Sequence, residues 1–441
     1  MRTFTPELNP AILERLTAYA ALFDSDYRRR DQARWTEAFL LGLVSDGDRK
    51  SVEALVNRID LPPQCRCEDP VQAVQHWLNQ GSWDSERLMV RYRELMMRIF
   101  GSSDGHFIFD DTSFEKSGDH SVGVQSQYCG CVGKTANCQV AVSLHYSSPT
   151  CHFPLAMRLY LPETWVESPA KLEKARVPAE HRMAKTKHEI GIELLDVMLR
   201  EGHPGSVALA DAGYGCSSEF RAALAARKLT YAVGVKGESN VFTVAPRWMF
   251  PGDEGMPPNC RNPRLRPESA KPCSIKQAAA KLKLRSCTWR KNAKGDMTAR
   301  FARIRVWPAE NWREGECAAT PPVWLLVEER GNELRYTMSN APDDASLLEL
   351  VRLMKSRWPV EQGYQQLKEE LGLDHFEGRS WIGFHHHACM TMLAFGFLQI
   401  ERGRLRKAMK RAPIPDRSKK KPSCPRSQRS RRFVELYKSC C

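Results

Sequence analysis

Residues 356–381 read SRWPVEQGYQQLKEELGLDHFEGRSW. At about 100° per residue, Glu361, Gln365 and Lys368 share one helical face at i, i+4 and i+7, while Leu367, Leu371 and Leu373 turn towards a core. Arg357 precedes Glu361 by one turn, so two cations flank a single acid. That pattern suits a divalent metal ion held beside a phosphodiester. Glu and Lys are also common on solvated helix surfaces. The helix therefore needs partners elsewhere in the chain.

Two upstream stretches each end an apolar run with an acid, where an open α/β sheet presents its ligands. The first is HFIFDDT, in which Asp110 and Asp111 follow Phe107, Ile108 and Phe109. The second is GSVALADAGYG, where Val207 to Ala210 reads as a buried strand and Gly213 and Gly215 permit a tight turn after Asp211. A buried carboxylate at a strand end is costly unless compensated, and a bound divalent cation is one compensator. Simpler uses exist: Asp211 could cap a helix starting near Ser217, and Asp111 could close a turn with Thr112.

Asp110, Asp211 and Glu361, with Arg357 and Lys368 around the last, resemble the DDE core of bacterial insertion-sequence transposases. Arg357, three residues, Glu361, six residues and Lys368 match the right-hand part of the signature Y-(2)-R-(3)-E-(6)-K; its Tyr position is Met354 here. DDTSFEKSGDHSVGVQSQYCGCVGKTANCQVAVSLHY and the DAGYG block resemble the first and second Asp blocks of such enzymes. The matching blocks span about residues 105–235 and 350–397.

The intervening pattern leads to the same fold independently. NCQVAVSLHY (137–146) and CHFPLAMRLYLP (151–162) read as a hairpin across SSPT, after the Asp110 strand. HRMAKTKHEIGIELLDVMLREG then reads as a helix, followed by the Asp211 strand, a helix over 217–227 and the strand LTYAVGV. This order predicts an α/β, RNase H-like mixed-sheet core with the first Asp on its first strand and the second on its fourth.

Around that core the expected organisation is a helical domain over 1–100, the first part of the core over 101–235, a β-rich insertion over 236–345, the catalytic helix over 346–400 and a basic tail over 401–441. The insertion holds the strands TARFARIRVW (298–307), VWLLVEER (323–330) and ELRYTMSN (333–340), the last two joined as a hairpin across Gly331 and Asn332. Its Trp289, Trp307 and Trp312 either pack in that hairpin layer or stack on distorted DNA ends. In the N-terminal domain, Arg28, Arg29, Arg30 and Arg34 gather at one helix junction and Arg49, Lys50 and Arg58 at another, as DNA-end binding needs.

Net charge is +14, and residues 401–441 carry fifteen Lys or Arg against three Asp or Glu. With Pro413, Pro415, Pro422 and Pro425 and no apolar period, this tail reads as a disordered segment that neutralises a polyanion without base specificity. No apolar run reaches the roughly 18 residues of a membrane span, and the N-terminus lacks a signal-peptide pattern. A bacterial cytoplasmic, nucleoid-associated protein is expected, with its fifteen cysteines reduced. Cys65/Cys67 and Cys129/Cys131 are C-x-C pairs rather than C-x2-C knuckles and have no nearby His, so zinc is not expected. His385, His386 and His387, at successive positions on a helix, point in different directions and read as packing residues.

The resemblance implies that Asp110, Asp211 and Glu361 hold two Mg2+ ions, for which Mn2+ may substitute, about 3.5 to 4 Å apart across the scissile phosphodiester. Asp111 remains the alternative to Asp110, although Thr112 gives Asp110 the D-x-T form common in such enzymes. Arg357 and Lys368 would position phosphate oxygens of the cleaved strand. The implied activity is cutting of double-stranded DNA at an element's ends and joining of the freed 3' ends to target DNA, by a homodimer that pairs two ends. A nuclease of the same fold without strand transfer, or an inactive transposase-derived DNA-binding protein, are the alternatives.

Overall fold

The computed structural model describes residues 10–256, 259–291, 295–309 and 321–411. Trp312 and the tail from residue 412 onward lie outside them. The chain divides into two compact units, Met1–Ile400 and Glu401–Cys441.

Five helices open the first unit: α1 (Pro10–Ala21), α2 (Arg30–Val44), α3 (Val52–Val56), α4 (Pro70–Gln80) and α5 (Ser85–Phe100). Asp69 and Asp84 cap α4 and α5 through their side chains. The core then runs β1 (His106–Glu115), β2 (Gln125–Cys129), β3 (Lys134–Ser147), β4 (His152–Leu159), α6 (Lys187–Arg200), β5 (Val207–Ala210), α7 (Ala212–Gly215), α8 (Ser218–Ala226) and β6 (Thr230–Val235). β1 lies antiparallel to β3 and parallel to β5, and β5 lies parallel to β6. With β4 on the far side of β3, the order β4-β3-β1-β5-β6 is the RNase H-like mixed sheet that the strand sequence predicts. One strand escaped the sequence reading: β2, within QSQYC, pairs with β3 across the turn at 130–133.

Among the described residues of the β-rich region, only Trp248–Met249 and Arg264–Leu265 pair as a separate two-stranded sheet. β7 (Asn240–Phe242), β8 (Cys273–Ser274), β9 (Arg285–Arg290), β10 (Met297–Pro308), β11 (Val323–Arg330) and β12 (Glu333–Ser339) extend the core sheet to twelve strands. The junction is β12 against β6, with Tyr336 opposite Val235. Pairing this way satisfies the outer edge of β6, which would otherwise expose a row of free backbone groups. Trp289, half-buried, packs edge-on against Phe301 with Lys355 over its ring.

After this region come α9 (Leu347–Lys355), α10 (Pro359–Gln365), a π-helical turn over Gln366–Glu370 and α11 (Trp381–Arg411). Up to residue 400, α11 runs among the N-terminal helices: the Tyr19 hydroxyl donates to Leu393 O, and His386 stacks on Trp83 and meets Leu78 O and Trp83 O at 2.8 Å. His385 and His387 reach the carbonyls of Trp381 and Gly372, so all three histidines are packing residues. Burial holds their imidazoles below the ordinary range, at about 3 for His385 and about 4 for the other two. In the second unit, Arg404 donates to Glu401 at 2.7 Å. No helix among the described residues is long and apolar enough to cross a membrane.

In the second N-terminal cation cluster Lys50 is buried, while Arg49 and Arg58 stay exposed. Lys50 donates to Ser45 O, Arg49 pairs with Glu377, and Arg58 donates to Arg49 O at 2.8 Å. Burial lowers the Lys50 ammonium to about 8.

Candidate active site

Asp110 sits in the middle of β1, and alternation decides what it meets. Ile108, Asp110 and Phe114 face one side of the sheet, where Ile108 packs with Leu209, Ala232 and Val360 of α10. Asp111 faces the other side, where α6 lies, and pairs with Lys187 on the first turn of that helix. The two adjacent acids are thereby separated. Asp110 shares its face with the Glu361 helix; Asp111 does not.

The parallel register between β1 and β5 runs His106 to Val207, Phe107 to Ala208 and Ile108 to Leu209. Continued by two residues, it sets Asp110 beside Asp211, at the carboxyl end of β5. Asp211 also caps the short α7, its Oδ1 accepting the amides of Gly213 and Tyr214 at 2.9 and 3.3 Å. Capping and site membership are thus compatible. Ser217, not Asp211, caps α8.

Gly215 is required here by space. A Cβ at this position would lie 2.0 Å from Gly234 O and 2.8 Å from Val233 Cβ, both on β6. Gly215→Ala is therefore expected to lower stability by about 1–3 kcal/mol, as overpacking does, and to displace the Asp211 turn. A thermal melt checks it; an unchanged midpoint would show that β6 and the turn separate freely.

Arg357 joins the first and third acids. Its Nη1 donates to Asp110 Oδ2 at 3.0 Å and its Nη2 donates to Glu361 Oε1. The Asp110 side chain is 15% exposed and that of Glu361 55%, so one guanidinium links a buried acid to an open one. Burial pushes the Asp110 carboxyl up to about 7; Arg357 pulls it down, while Asp211 and Asp111 push it further up. This is a position that calls for positive charge.

Lys368 lies in a π-helical turn rather than in regular α-helix. The π-helical turn widens the helix after Gln365, and Lys368 no longer follows Glu361 at the α-helical angle. Its Nζ donates to Ser113 O at 2.9 Å and lies over the Phe114 ring. Gln365 instead pairs with Glu369 at 3.1 Å. Leu367, Leu371 and Leu373 are buried, as their spacing predicts.

Two contacts had no clear signature in the sequence. The Tyr364 hydroxyl bonds Ser143 Oγ, which donates at 3.3 Å to Asp110 O, so the Glu361 helix is pinned to the strand pair that carries Asp110. The other is the pairing of Lys187 with Asp111, of which only the helix start that carries Lys187 is readable, in the box Thr186-x-x-Glu189. The expected helix over HRMAKTKHEIG starts too early for that reason: it begins at Lys187, not His181.

Three carboxylates form a hard oxygen donor set, suited to Mg2+ or Mn2+. Asp110 and Asp211 follow on neighbouring parallel strands, and Asp211 raises the Asp110 carboxyl, a repulsion that a cation between them would relieve. Glu361 is held off by Arg357, and among the described residues no three His, Cys, Asp or Glu side chains converge closely enough to form a cage. Arg357 occupies the electrostatic position a cation would take.

The sequence profile of the family described as DDE superfamily endonuclease matches residues 18–296. The match ends upstream of Arg357, Glu361 and Lys368, whose placement rests on the geometry above. A probable transposase for the insertion sequence element IS701 from Microchaete diplosiphon is 28% identical over 202 residues, 46% of this chain and 48% of the relative. The chain thus spans about half the length of the curated relative it matches. The NurA nuclease from Sulfolobus solfataricus aligns over 78% of this chain and 95% of its own, at 10% identity. Its TM-score of 0.23 is too low to carry an argument.

Proposed function

The chain belongs to the DDE superfamily of endonucleases, and from that membership we propose that it is a DNA transposase. It cuts the ends of an insertion sequence and transfers the 3' ends to target DNA. One observation carries the reading: Arg357 ties Asp110 to Glu361, and Asp211 follows directly on the strand parallel to that of Asp110, near enough to raise its carboxyl. A protein that only bound DNA would have no use for acids gathered where phosphate must approach, since each repels it.

Asp110, Asp211 and Glu361 are the residues that would hold Mg2+, with Mn2+ as substitute. Bound there, the metal supplies activation of the attacking oxygen and charge stabilisation of the leaving 3'-oxygen. The rest falls to the chain. Asp110, rather than Asp111, is the first ligand, because Asp111 is committed to Lys187 on the opposite face. Arg357, once its two acids are otherwise compensated, is free to grip a phosphate oxygen through its planar fork. Lys368 has donors to spare beyond the one on Ser113 O and can hold the same strand. Tyr364 and Ser143 keep the Glu361 helix at a fixed height over Asp110. Pairing two DNA ends requires two active sites, hence a homodimer on double-stranded DNA.

The test incubates the full chain with Mg2+, linear DNA carrying its element's ends and a target plasmid. Joined products, lost in Asp211→Ala and in Glu361→Ala, are the expected result. Cleavage without joining would reduce the function to an endonuclease, and binding without cleavage to a DNA-binding protein. Cleavage that survives either substitution would displace the site.

A further inference from the structure

We propose that Cys129-Gly130-Cys131 is a thiol-modification site that reacts with low-molecular-weight disulfides to form an internal disulfide. The pair sits where β2 turns into β3. The Cys129 carbonyl accepts the amides of Val132 and Gly133 at 3.2 and 2.9 Å, which curls Cys131 back over Cys129 and leaves the two sulfurs 3.1 Å apart. Cys131 is exposed and Cys129 is buried. A disulfide too bulky to reach Cys129 can therefore reach its neighbour.

Cys129 is also prepared to resolve what forms there. Burial pushes its thiol up, but hydrogen bonds from Cys131, Cys138, Ser113 and the Val132 amide outweigh it and leave the group below the ordinary thiol range. Cys138 touches Cys129 too, but it is buried from any external disulfide and raised to about 12. The other C-x-C pair is a built-in contrast. Cys67 is exposed too, but the Cys65 thiol is committed to Arg34 O at 3.0 Å and burial raises it to about 11.

The chemistry balances as two exchanges. Cys131, the exposed thiol of the pair, which burial and Cys129 hold above the ordinary range, loses its proton and attacks one sulfur of a small disulfide such as oxidised glutathione, forming a mixed disulfide and releasing one glutathione thiolate. The Cys129 thiolate then attacks Cys131 Sγ, forming the internal disulfide and releasing the second. Two protein thiols are oxidised and one external disulfide is reduced.

The site is one hydrogen bond from the strand of Asp110. Gly130 N–H donates to Ser113 Oγ at 2.7 Å, and Ser113 O holds Lys368. Closing the disulfide must redraw the Gly130 turn and with it the Ser113 contact. This consequence, unlike the disulfide itself, rests on the proposed function.

The experiment treats the full chain with oxidised glutathione and maps its peptides by mass spectrometry. A 129–131 disulfide is expected to form roughly tenfold faster than any 65–67 disulfide and to reopen with reductant. Cys129→Ser should instead trap a glutathione adduct on Cys131. A reduced 129–131 peptide in the treated wild type, or no trapped adduct in Cys129→Ser, would overturn the site. End-DNA cleavage measured on the same samples should fall several-fold on oxidation and recover with reductant. A disulfide that forms without changing cleavage would overturn the link to Lys368 and leave the site standing. Absence of cleavage from the reduced protein would count against the transposase reading alone.

Discussion

Asp110→Asn abolishes DNA cleavage, by roughly a thousandfold or more, about 4 kcal/mol of transition-state stabilisation. The substitution preserves shape and removes the buried anion. Asp111→Asn, one residue away, keeps cleavage within a few-fold, because its partner Lys187 lies across the sheet. The pair of variants is measured with Mg2+ and end DNA. Equal losses in both would mean that the two faces of β1 are not separate in the working enzyme.

The same substitution has a second signature, in metal-free stability. The Asp110 carboxyl ionises near 7 in the folded chain against an ordinary 3.8, so the native state holds a proton the unfolded chain has released between those values. Native stability is thus fully present below about 4 and is lost as pH rises through 7. At 1.36 kcal/mol per pH unit, the loss is bounded at about 4 kcal/mol, and movement of Arg357 reduces it to the order of 2. Asn carries no such loss. Metal-free Asp110→Asn should therefore melt a few degrees above wild type at pH 8 and level with it at pH 4. An identical difference at both pH values would mean that Asp110 titrates normally.

Asp110 shows where sequence reading succeeds and stops. Alternation alone says that Asp110 and Asp111 face opposite ways, but not which face the Glu361 helix covers. That depends on Ile108 packing with Val360, a contact between distant parts of the chain. The strands were legible where apolar runs are bounded by turns: β11 is VWLLVEER and nothing more, Val323–Arg330. QSQYC was not legible as β2, since its half-exposed polar residues carry no period and its stability comes from β3. The extension of the sheet through β12 against β6 is a pairing between residues 336 and 235, invisible to any local pattern. The π turn around Lys368 was not legible either, since nothing in QLKEE distinguishes it from an unbroken α-helix.

Arg357→Ala is expected to split two measurements that usually move together. In the DNA-free protein it should tighten divalent-metal binding, because Arg357 holds the oxygens of Asp110 and Glu361 that a metal needs. A unit charge removed from about 5 Å in a partly solvated site changes metal affinity by roughly 1–2 kcal/mol, on the order of tenfold. With end DNA present, cleavage should fall by roughly a hundredfold to a thousandfold, since the phosphate loses its bidentate donor in the transition state. Titration calorimetry with Mn2+ reads the first, and the emission of Trp358, 56% exposed and adjacent to Arg357, reports the same event optically. Arg357→Lys should fall between: it keeps the charge against the metal but loses the fork. Weaker metal binding in Arg357→Ala would mean that the guanidinium assembles the acids rather than competing for them, and Asp110 and Glu361 would then need it in place throughout the reaction.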